Sequence, residues 1–327
     1  MNDSFKGKKI LVTGASGFVG TNLIEKLLQC DAIVYGTVHK TPPQIKFQGV
    51  HYINADLTNE VDCFTVSKNI DYIFMCAANS SGAEVMEKAP LTHLTPNIVM
   101  NSQMLAAAYA NNVKKFIFVS SNTVYPLTDF PVKENDTNYY FYNKYHIVGW
   151  MKLFSEKMCE MYTHHIKHPM QTLIVRPGNL YGPYDKYNWS ESKVIAALVR
   201  RFAEKNNPLD VWGDGNDIKD FLYIDDFTDG LLKATAANIN GPINIASGKP
   251  ATIKDVINVL IKVTNSSDLK INYDLSMPSM IPVRLISAEL ANKTLNWESQ
   301  YSLEDGLRKT YEWYLDFYQD ITPESKK

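Results

Sequence analysis

The sequence predicts an α/β protein built on a doubly wound parallel sheet, with a smaller α/β lobe in its C-terminal half. Short apolar runs alternate with segments of helical periodicity through the first half of the chain. Glycines follow the first apolar run directly, and the alternation stops after Pro177. Such alternation is typical of parallel strands joined by right-handed crossover helices on both faces of a sheet.

Seven apolar runs are predicted to form the strands of this sheet. Gly36 is expected to end the second strand and Pro177 the sixth, since both residue types interrupt regular pairing. The runs are Lys9–Thr13, Ala32–Tyr35, Val50–Ile53, Asp71–Cys76, Phe116–Ser120, Gln171–Arg176 and Ile243–Ala246.

Five segments with helical spacing are predicted to be helices. The first begins at Gly20, and the others span about 97–110, 145–163, 193–206 and 223–236. Only loops and one helix are expected between Asn179 and Lys219. A chain of 327 residues suggests two domains at about 150 residues each.

The predicted domains are discontinuous in sequence. Residues 1–177 with about 222–247 form a Rossmann-type domain, and about 178–221 with 248–320 form the second domain. The tail after Asp320 is expected to fray.

The composition excludes several classes of function. Lys and Arg number 33 and Asp and Glu number 35, so the chain lacks the basic excess of a protein that binds nucleic acid or an anionic membrane. No run has the length of a membrane span, and the polar start lacks a signal-peptide apolar region. The cysteines form no CxxC pair, which predicts reduced thiols, a cytoplasmic location and no metal site. They are Cys30, Cys63, Cys76 and Cys159.

The segment Thr13–Gly20 carries glycines at 14, 17 and 20 between the first strand and the first helix. A tight turn and a close approach of the backbone to a phosphate both require residues without a Cβ atom. The helix N-terminus then offers free N–H groups to a pyrophosphate. The loop therefore predicts a dinucleotide site.

The G-x-x-G-x-x-G spacing resembles the extended short-chain dehydrogenase/reductases that act on nucleotide sugars, nearest to GDP-fucose synthase-like enzymes. Further motifs match this family in order along nearly the whole chain. They are Asp56-Leu57, Cys76-Ala77-Ala78, Asn97, Val119–Tyr125, Arg176–Pro183, Trp212–Gly215, Lys219–Phe221, Asp225-Asp226, Leu295–Trp297 and Leu303–Leu307.

The resemblance implies a nicotinamide cofactor. No acidic residue follows the second strand, and His39 and Lys40 could accept the 2′-phosphate of NADP. The glycine loop, however, offers no basic residue, so NAD is predicted and NADP stays open. The implied cofactor residues are Gly14, Ser16, Gly17, Phe18, Val19, Gly20, His39, Lys40, Asp56, Leu57, Ala77, Ala78, Asn97, Lys152, Pro177, Asn179 and Leu180.

In this family a Ser, a Tyr and a Lys catalyse hydride transfer, and Ser121 matches the serine. Lys152 matches the lysine, because Glu156 and Tyr162 follow it at the family spacing. The tyrosine should then stand four residues before Lys152, where this chain has Val148.

A second alignment uses Tyr140 and Lys144, which also have the Tyr-x-x-x-Lys spacing. Tyr140 lies only 19 residues after Ser121, whereas Val148 lies 27 after it, which suits the family better. Valine cannot carry a proton. Thr123, Ser121, a water or neutral Lys152 are the candidate carriers, and Tyr145 is a further candidate one turn before Val148.

Two departures restrict the reaction that the resemblance implies. Thr123 and Lys193 stand where GDP-fucose synthase-like enzymes have the Cys and His used for epimerisation. Asn122-Thr123 replaces the Asp-Glu pair of sugar 4,6-dehydratases, so neither double epimerisation nor dehydration is expected. Redox chemistry at one carbon, C4, remains.

The predicted function is NAD(P)-dependent oxidation at C4 of a nucleotide-activated sugar, such as a GDP-linked hexose or heptose. The product would be a 4-keto sugar for surface polysaccharide synthesis. A 4-epimerase, a 4-ketoreductase and a catalytically weak nucleotide-sugar binding protein are the alternatives. A homodimer through the helices at 97–110 and 145–163 is also implied. The implied substrate residues are Ser121, Asn179, Val194, Arg201, Trp212, Lys219 and Arg284.

Overall fold

A computed structural model describes residues 2–79, 89–189, 191–237, 239, 241–277 and 280–318. Its strands are β1 (Lys9–Val12), β2 (Ile33–Val38), β3 (Val50–Asn54), β4 (Tyr72–Met75), β5 (Lys115–Val119), β6 (Gln171–Pro177), β7 (Asn179–Tyr181), β8 (Leu209–Trp212), β9 (Ile218–Tyr223), β10 (Pro242–Ile245), β11 (Pro250–Thr252), β12 (Ile271–Asp274) and β13 (Val283–Arg284).

The α-helices in the described ranges are α1 (Asn2–Phe5), α2 (Phe18–Gln29), α3 (Glu60–Val66), α4 (Thr95–Ala110), α5 (His146–His164), α6 (Val194–Ala203), α7 (Ile224–Ala236), α8 (Ile253–Thr264), α9 (Glu289–Leu295) and α10 (Leu303–Trp313).

The main sheet confirms the predicted fold class. Its seven strands are all parallel and run in the order β10-β6-β5-β4-β1-β2-β3. The seven predicted apolar runs supply these seven strands. Helices α2 and α7 pack together, and α3 packs on α4, so helices cover the sheet as a doubly wound fold requires.

Two strands continue past the residues expected to end them. β2 runs through Gly36 to Val38, because Gly36 pairs with Val12 on one side and with Tyr52 on the other. A Cβ atom at Gly36 would lie 2.7 Å from the Cβ of Ala15 in the glycine loop. The glycine therefore allows a close approach of the loop and does not end the strand. β6 likewise includes Pro177.

The expectation of loops and one helix between Asn179 and Lys219 was wrong. This segment also holds β7, β8 and the start of β9. β9 is central to a second sheet, pairing with β11, β13 and β7, while β8 pairs with β12. Strands of three or four residues with an exposed residue at alternate positions, as in β8, carry too little periodicity to stand out in the sequence.

A single residue, Gly178, separates the two sheets along the chain, since β6 ends at Pro177 and β7 begins at Asn179. A Cβ atom at Gly178 would lie 2.8 Å from an Asp220 carboxylate oxygen. That carboxylate accepts the backbone N–H groups of Ser247 (2.8 Å) and Gly248 (2.7 Å). The crossing between the sheets is therefore tightly packed.

A buried ion pair attaches α5 to the main sheet. The Arg176 guanidinium on β6 lies 2.6 Å from a carboxylate oxygen of Glu156 on α5, and both side chains are buried. Arg176 also donates to the Tyr125 hydroxyl at 3.0 Å, and the Ser120 hydroxyl donates to Glu156. The network fixes the helix that carries Lys152 one turn before Glu156.

The described residues contain no helix that is both long and apolar enough to cross a membrane. The tail after Asp320 lies outside the described residues, and the predicted domain boundaries stay a prediction.

We expect Glu156→Gln to lower the free energy of unfolding by about 3 kcal/mol, because it leaves the Arg176 charge buried without a counter-charge. Urea denaturation would measure the change. The matched control is Glu160→Gln on the same helix, which breaks the more exposed pair with Lys157 and should cost less than about 1 kcal/mol. Equal losses in the two variants would contradict a special role for the buried pair.

Candidate active site

A cavity of about 490 Å³ lies at the carboxyl ends of the main-sheet strands, where α/β proteins bind ligands. One wall comes from the segments that follow β4, β5 and β6, together with α4 and α5. The other wall comes from α6, β8 and β9. Residues from both sheets therefore share one cavity.

The glycine loop after β1 has no room for side chains. Gly14 has a φ of +69°, and a Cβ atom there would lie 2.8 Å from the Cα of Ala77. A Cβ atom at Gly20 would lie 2.3 Å from the carbonyl oxygen of Gly14. The Thr13 hydroxyl accepts the backbone N–H groups of Cys76 and Ala77, each at 3.0 Å, which ties the loops after β1 and β4 together.

Helix α2 starts at Phe18 with Gly17 as its N-cap, and Gly17 has no side chain to cap the first N–H groups. A helix start of this kind, reached through a loop without side chains, fits a pyrophosphate. The residues present therefore fit a dinucleotide. Gly14, Ser16, Gly17, Phe18 and Gly20 lie at this loop and not among the cavity-lining residues, whereas Val19 lines the cavity.

The residues predicted for the adenosine side follow the ends of β2 and β3. His39 lies 3.8 Å from Asp56 between side-chain atoms, and both are partly exposed. The Asp56 carboxylate accepts the Thr58 hydroxyl at 2.7 Å and the Thr58 N–H at 2.9 Å, which lowers the pKa of Asp56. The Ser16 hydroxyl donates to the Thr41 carbonyl at 2.7 Å. Lys40 is exposed and Leu57 is buried.

Asn97 on α4 holds the loop that follows Ala77 and Ala78. Its side-chain oxygen accepts the Asn79 N–H at 2.8 Å, and its amide nitrogen donates to the Asn79 carbonyl at 3.0 Å. Asn97 lines the cavity, but both ends of its amide are used within the protein. We assign it a positioning role for this loop.

Lys152 on α5 lines the cavity and donates a hydrogen bond from Nζ to the Val119 carbonyl at 2.9 Å. Its Nζ also lies 4.9 Å from the centre of the Phe118 ring. Burial lowers the pKa of Lys152 to about 8, against the opposing effect of the Glu156 carboxylate. A neutral amine is therefore accessible close to neutral pH.

Two hydroxyl groups lie in the same cavity. Ser121 follows β5, and Thr123 lies in the short 3₁₀ turn Asn122–Val124. The Thr123 hydroxyl donates to the Ser121 hydroxyl oxygen at 3.0 Å. Val148, one turn before Lys152 on α5, also lines the cavity. The structure thus brings together Ser121, Thr123, Val148 and Lys152.

The alternative alignment through Tyr140 and Lys144 places its tyrosine outside the cavity. Tyr140 is 80% exposed, and it is not among the cavity-lining residues. Tyr145 does line the cavity. Burial raises the pKa of Tyr145 to about 12, although the Arg284 charge opposes this shift. The Tyr145 phenol therefore stays protonated at neutral pH.

The residues predicted for the substrate occupy mostly the opposite wall, where Val194, Arg201, Trp212 and Lys219 line the cavity. The Lys219 Nζ lies 2.9 Å from the Asp217 carboxylate, and burial lowers the pKa of Lys219.

Arg201 also has its pKa lowered by burial and donates to the Asp210 carbonyl. Pro177, Asn179 and Leu180 line the cavity between the two walls.

Arg284 is the predicted substrate residue that the structure keeps apart from the cavity lining. Its side chain is 1% exposed and donates to the carbonyls of Pro126 (2.8 Å) and Tyr125 (3.1 Å). Burial lowers the pKa of Arg284 to about 10.

Several cavity residues were missed by the sequence reasoning, among them Trp189, Arg200 and Asp185. Asp185 is buried, which raises its pKa, and the Lys193 charge opposes that shift. The sequence offered one signal for Trp189. A tryptophan in a segment predicted to be a loop is not explained by burial in a core, which could have marked it as a site residue. Among the described residues, no group of His, Cys, Asp and Glu lies close enough together to hold a metal ion.

Comparison with known proteins gives consistent matches. The model of the NAD dependent epimerase/dehydratase family matches residues 10–246. The putative GDP-L-fucose synthase 2 of Arabidopsis thaliana is 30% identical, over 95% of this chain and 93% of that protein. GDP-mannose 3,5-epimerase 1 of Oryza sativa subsp. indica is 26% identical, over 93% of this chain and 81% of that protein.

Among solved structures, UDP-glucuronic acid 4-epimerase from Bacillus cereus, in complex with UDP-glucuronic acid and NAD, superimposes with a TM-score of 0.83. It is 27% identical and covers 95% of this chain and 100% of its own.

We expect Lys152→Met to raise the free energy of unfolding near pH 7, measured by urea denaturation. In wild type, folding buries the charged Lys152 amine away from water, and methionine avoids that cost. The folded pKa of about 8 lies below the ordinary value, so wild-type stability increases as the pH rises above 8 and the folded amine loses its proton. The advantage of the variant should therefore shrink from about pH 8 upward. Lys157→Met on the same helix is the control, and a pH-independent advantage for Lys152→Met would contradict the shift.

Proposed function

The chain belongs to the NAD dependent epimerase/dehydratase family, and we propose that it oxidises the C4 hydroxyl of a nucleotide-activated sugar. Family membership confirms the predicted resemblance, an enzyme of the oxidoreductase type and NAD as the cofactor. When bound, NAD supplies the nicotinamide that accepts a hydride from the sugar.

The cofactor is proposed to lie across the carboxyl ends of β1 to β5. Gly14, Gly17 and Gly20 would admit its pyrophosphate to the start of α2, where the backbone N–H groups are uncapped. The Asp56 carboxylate lies beside His39, one of the two residues that could hold the 2′-phosphate of NADP. Because a carboxylate repels a phosphate, this arrangement supports NAD over NADP. Lys152 would orient the ribose at the reacting end.

The observation that carries the proposal is that Lys152 and two hydroxyl groups line one cavity, in which Val148 takes the place of the family tyrosine. Oxidation of a C4 hydroxyl to a ketone releases a proton besides the hydride. The Thr123–Ser121 hydroxyl pair is proposed to receive this proton from the sugar and pass it on to neutral Lys152. Burial of Lys152 makes the neutral form available.

A GDP-linked substrate is favoured by the relatives. The similar proteins over nearly the full chain include a GDP-L-fucose synthase and a GDP-mannose 3,5-epimerase. Thr123 and Lys193 in place of the Cys and His of GDP-fucose synthase-like enzymes argue against the epimerisation chemistry of those enzymes, since a threonine hydroxyl is too weak an acid at neutral pH. Arg201 and Lys219 supply positive charge for a diphosphate on the second wall.

A C4 epimerase or a C4 ketoreductase is the second candidate. The similar Bacillus cereus structure is a UDP-glucuronic acid 4-epimerase, and epimerisation at C4 begins with the same oxidation. A catalytically weak nucleotide-sugar binding protein is a third candidate, supported by Val148. We further propose that the keto sugar serves surface polysaccharide synthesis in the cytoplasm, where the four free cysteines would stay reduced.

We expect purified protein, incubated with NAD and a panel of GDP- and UDP-linked sugars, to convert one of them into a keto sugar nucleotide. Mass spectrometry should then detect a product that is two hydrogen atoms lighter than the supplied sugar nucleotide. An isomer of unchanged mass would indicate the epimerase, and turnover of supplied keto sugar alone would indicate the reductase. Cofactor binding without any turnover would contradict an enzymatic role.

The oxidation rate should rise with pH around 8, because only neutral Lys152 accepts a proton. Thr123→Val should lower the rate by about 100-fold, within the usual contribution of a proton-transferring group. The control is Thr128→Val, whose exposed hydroxyl donates to the Phe130 carbonyl. A flat pH profile, or a Thr123 variant with the wild-type rate, would remove the proposed proton path.

A homodimer is proposed through α5. Trp150, Phe154 and Met161 are exposed apolar residues at helical spacing on α5, and Tyr109 on the neighbouring α4 is also exposed. A stripe of this kind on a surface helix indicates a protein contact. The second copy of the chain would cover it with the same two helices.

We expect the wild-type protein to elute with the mass of two 37.1 kDa chains in size-exclusion chromatography with light scattering. Phe154→Asp should give a monomer, because it places a charge in the proposed contact. The control is Leu275→Asp, at an exposed leucine outside α4 and α5, which should leave the mass unchanged. A wild-type monomer would contradict the dimer.

A further inference from the structure

Two tryptophans expose their rings at the cavity although both are large apolar residues. Trp189, in the segment before α6, is 61% exposed, and Trp212, at the end of β8, is 39% exposed. Both line the cavity, on the wall that also carries Arg201 and Lys219. The wall opposite Lys152 therefore combines aromatic surfaces with positive charge.

The Trp189 ring is supported from one side. The Arg200 guanidinium carbon lies 3.7 Å from the centre of the ring, which is close cation–π stacking. Arg200 on α6 is itself buried, and it donates to the Tyr187 carbonyl at 2.5 Å. One face of the indole thus rests on a fixed cation, and the exposed remainder of the ring borders the cavity.

The chemistry of a sugar nucleotide limits what can use this surface. Its diphosphate calls for cations, which Arg201 and Lys219 provide, and its sugar calls for hydrogen-bonding groups such as Ser121 and Thr123 on the far wall. The nucleobase is the part that is flat and that stacks on aromatic rings. A purine offers a larger stacking surface than uracil.

We infer that Trp189 stacks on the nucleobase of the bound substrate, with Arg200 backing the indole and Trp212 contacting the base from β8. The inference rests on the proposed nucleotide-sugar function and names the residue that would carry its preference for a purine base. Trp189 is then a specificity-determining residue that touches the substrate far from the reacting carbon.

Isothermal titration of the protein with GDP, and separately with UDP, tests the inference. Wild type should bind GDP more tightly than UDP. Trp189→Ala should raise the Kd for GDP by about 5- to 150-fold, the range that corresponds to loss of one base–aromatic stack. Trp189→Phe keeps an aromatic face, so its Kd should stay within about threefold of wild type. Phe130→Ala, at an exposed aromatic residue outside the cavity lining and outside α4 and α5, should bind GDP as wild type does.

A second readout is independent of the affinity ranking. GDP should quench the tryptophan fluorescence of wild type, and Trp189→Phe should lose the part of that quenching that comes from Trp189 while still binding GDP and keeping the part from Trp212. NAD binding should be the same in wild type and in both Trp189 variants, which also reports correct folding.

The possible failures are distinct. If wild type binds GDP and Trp189→Ala binds it equally well, or if the Phe variant quenches like wild type, the inference is wrong and the proposed function stands. A wild type that prefers UDP overturns the purine preference. If wild type binds neither GDP nor UDP, the nucleotide-sugar function itself fails, and the inference fails with it.

Discussion

The buried ion pair between Arg176 and Glu156 is the interaction on which the site geometry depends. It joins β6 of the main sheet to α5, and α5 carries Val148 and Lys152 into the cavity. Two charges confined in a low-dielectric interior tolerate little displacement, because the attraction must offset the loss of hydration of both groups. The helix is therefore held at one depth against the sheet, and Lys152 with it.

The same pair acts on the electrostatics of the site. The Glu156 carboxylate favours the charged form of Lys152, whereas burial favours the neutral form more strongly, which brings the Lys152 pKa to about 8. A lysine that lines the same cavity as a valine and two hydroxyl groups is proposed to exchange protons there, a task for which the family pattern uses a tyrosine. The high pKa of Tyr145 makes that residue a poor substitute base.

The sequence was sufficient for the main sheet and for the turn between β1 and α2, because buried parallel strands and the glycine loop leave strong local patterns. It was insufficient for the second sheet, whose short strands such as β8 alternate buried and exposed residues over only four positions. The role of Gly36 was predicted wrongly, because a glycine is needed there to leave room for Ala15, which is distant in sequence.

The same limit applies to individual site residues. The location of Arg284 in contact with the Tyr125 and Pro126 carbonyls depends on long-range packing. The stacking of Arg200 on Trp189 is likewise a tertiary contact that no local pattern encodes.

The crossing at Gly178 has a mechanical consequence. With one residue between the sheets, and that residue packed against Asp220, the chain offers no linker about which the two sheets could swing at this point. Large hinge motions need a few residues whose backbone angles can change freely. Substrate entry would then rely on segments other than this crossing, and on heating the two sheets would be expected to melt as one cooperative unit.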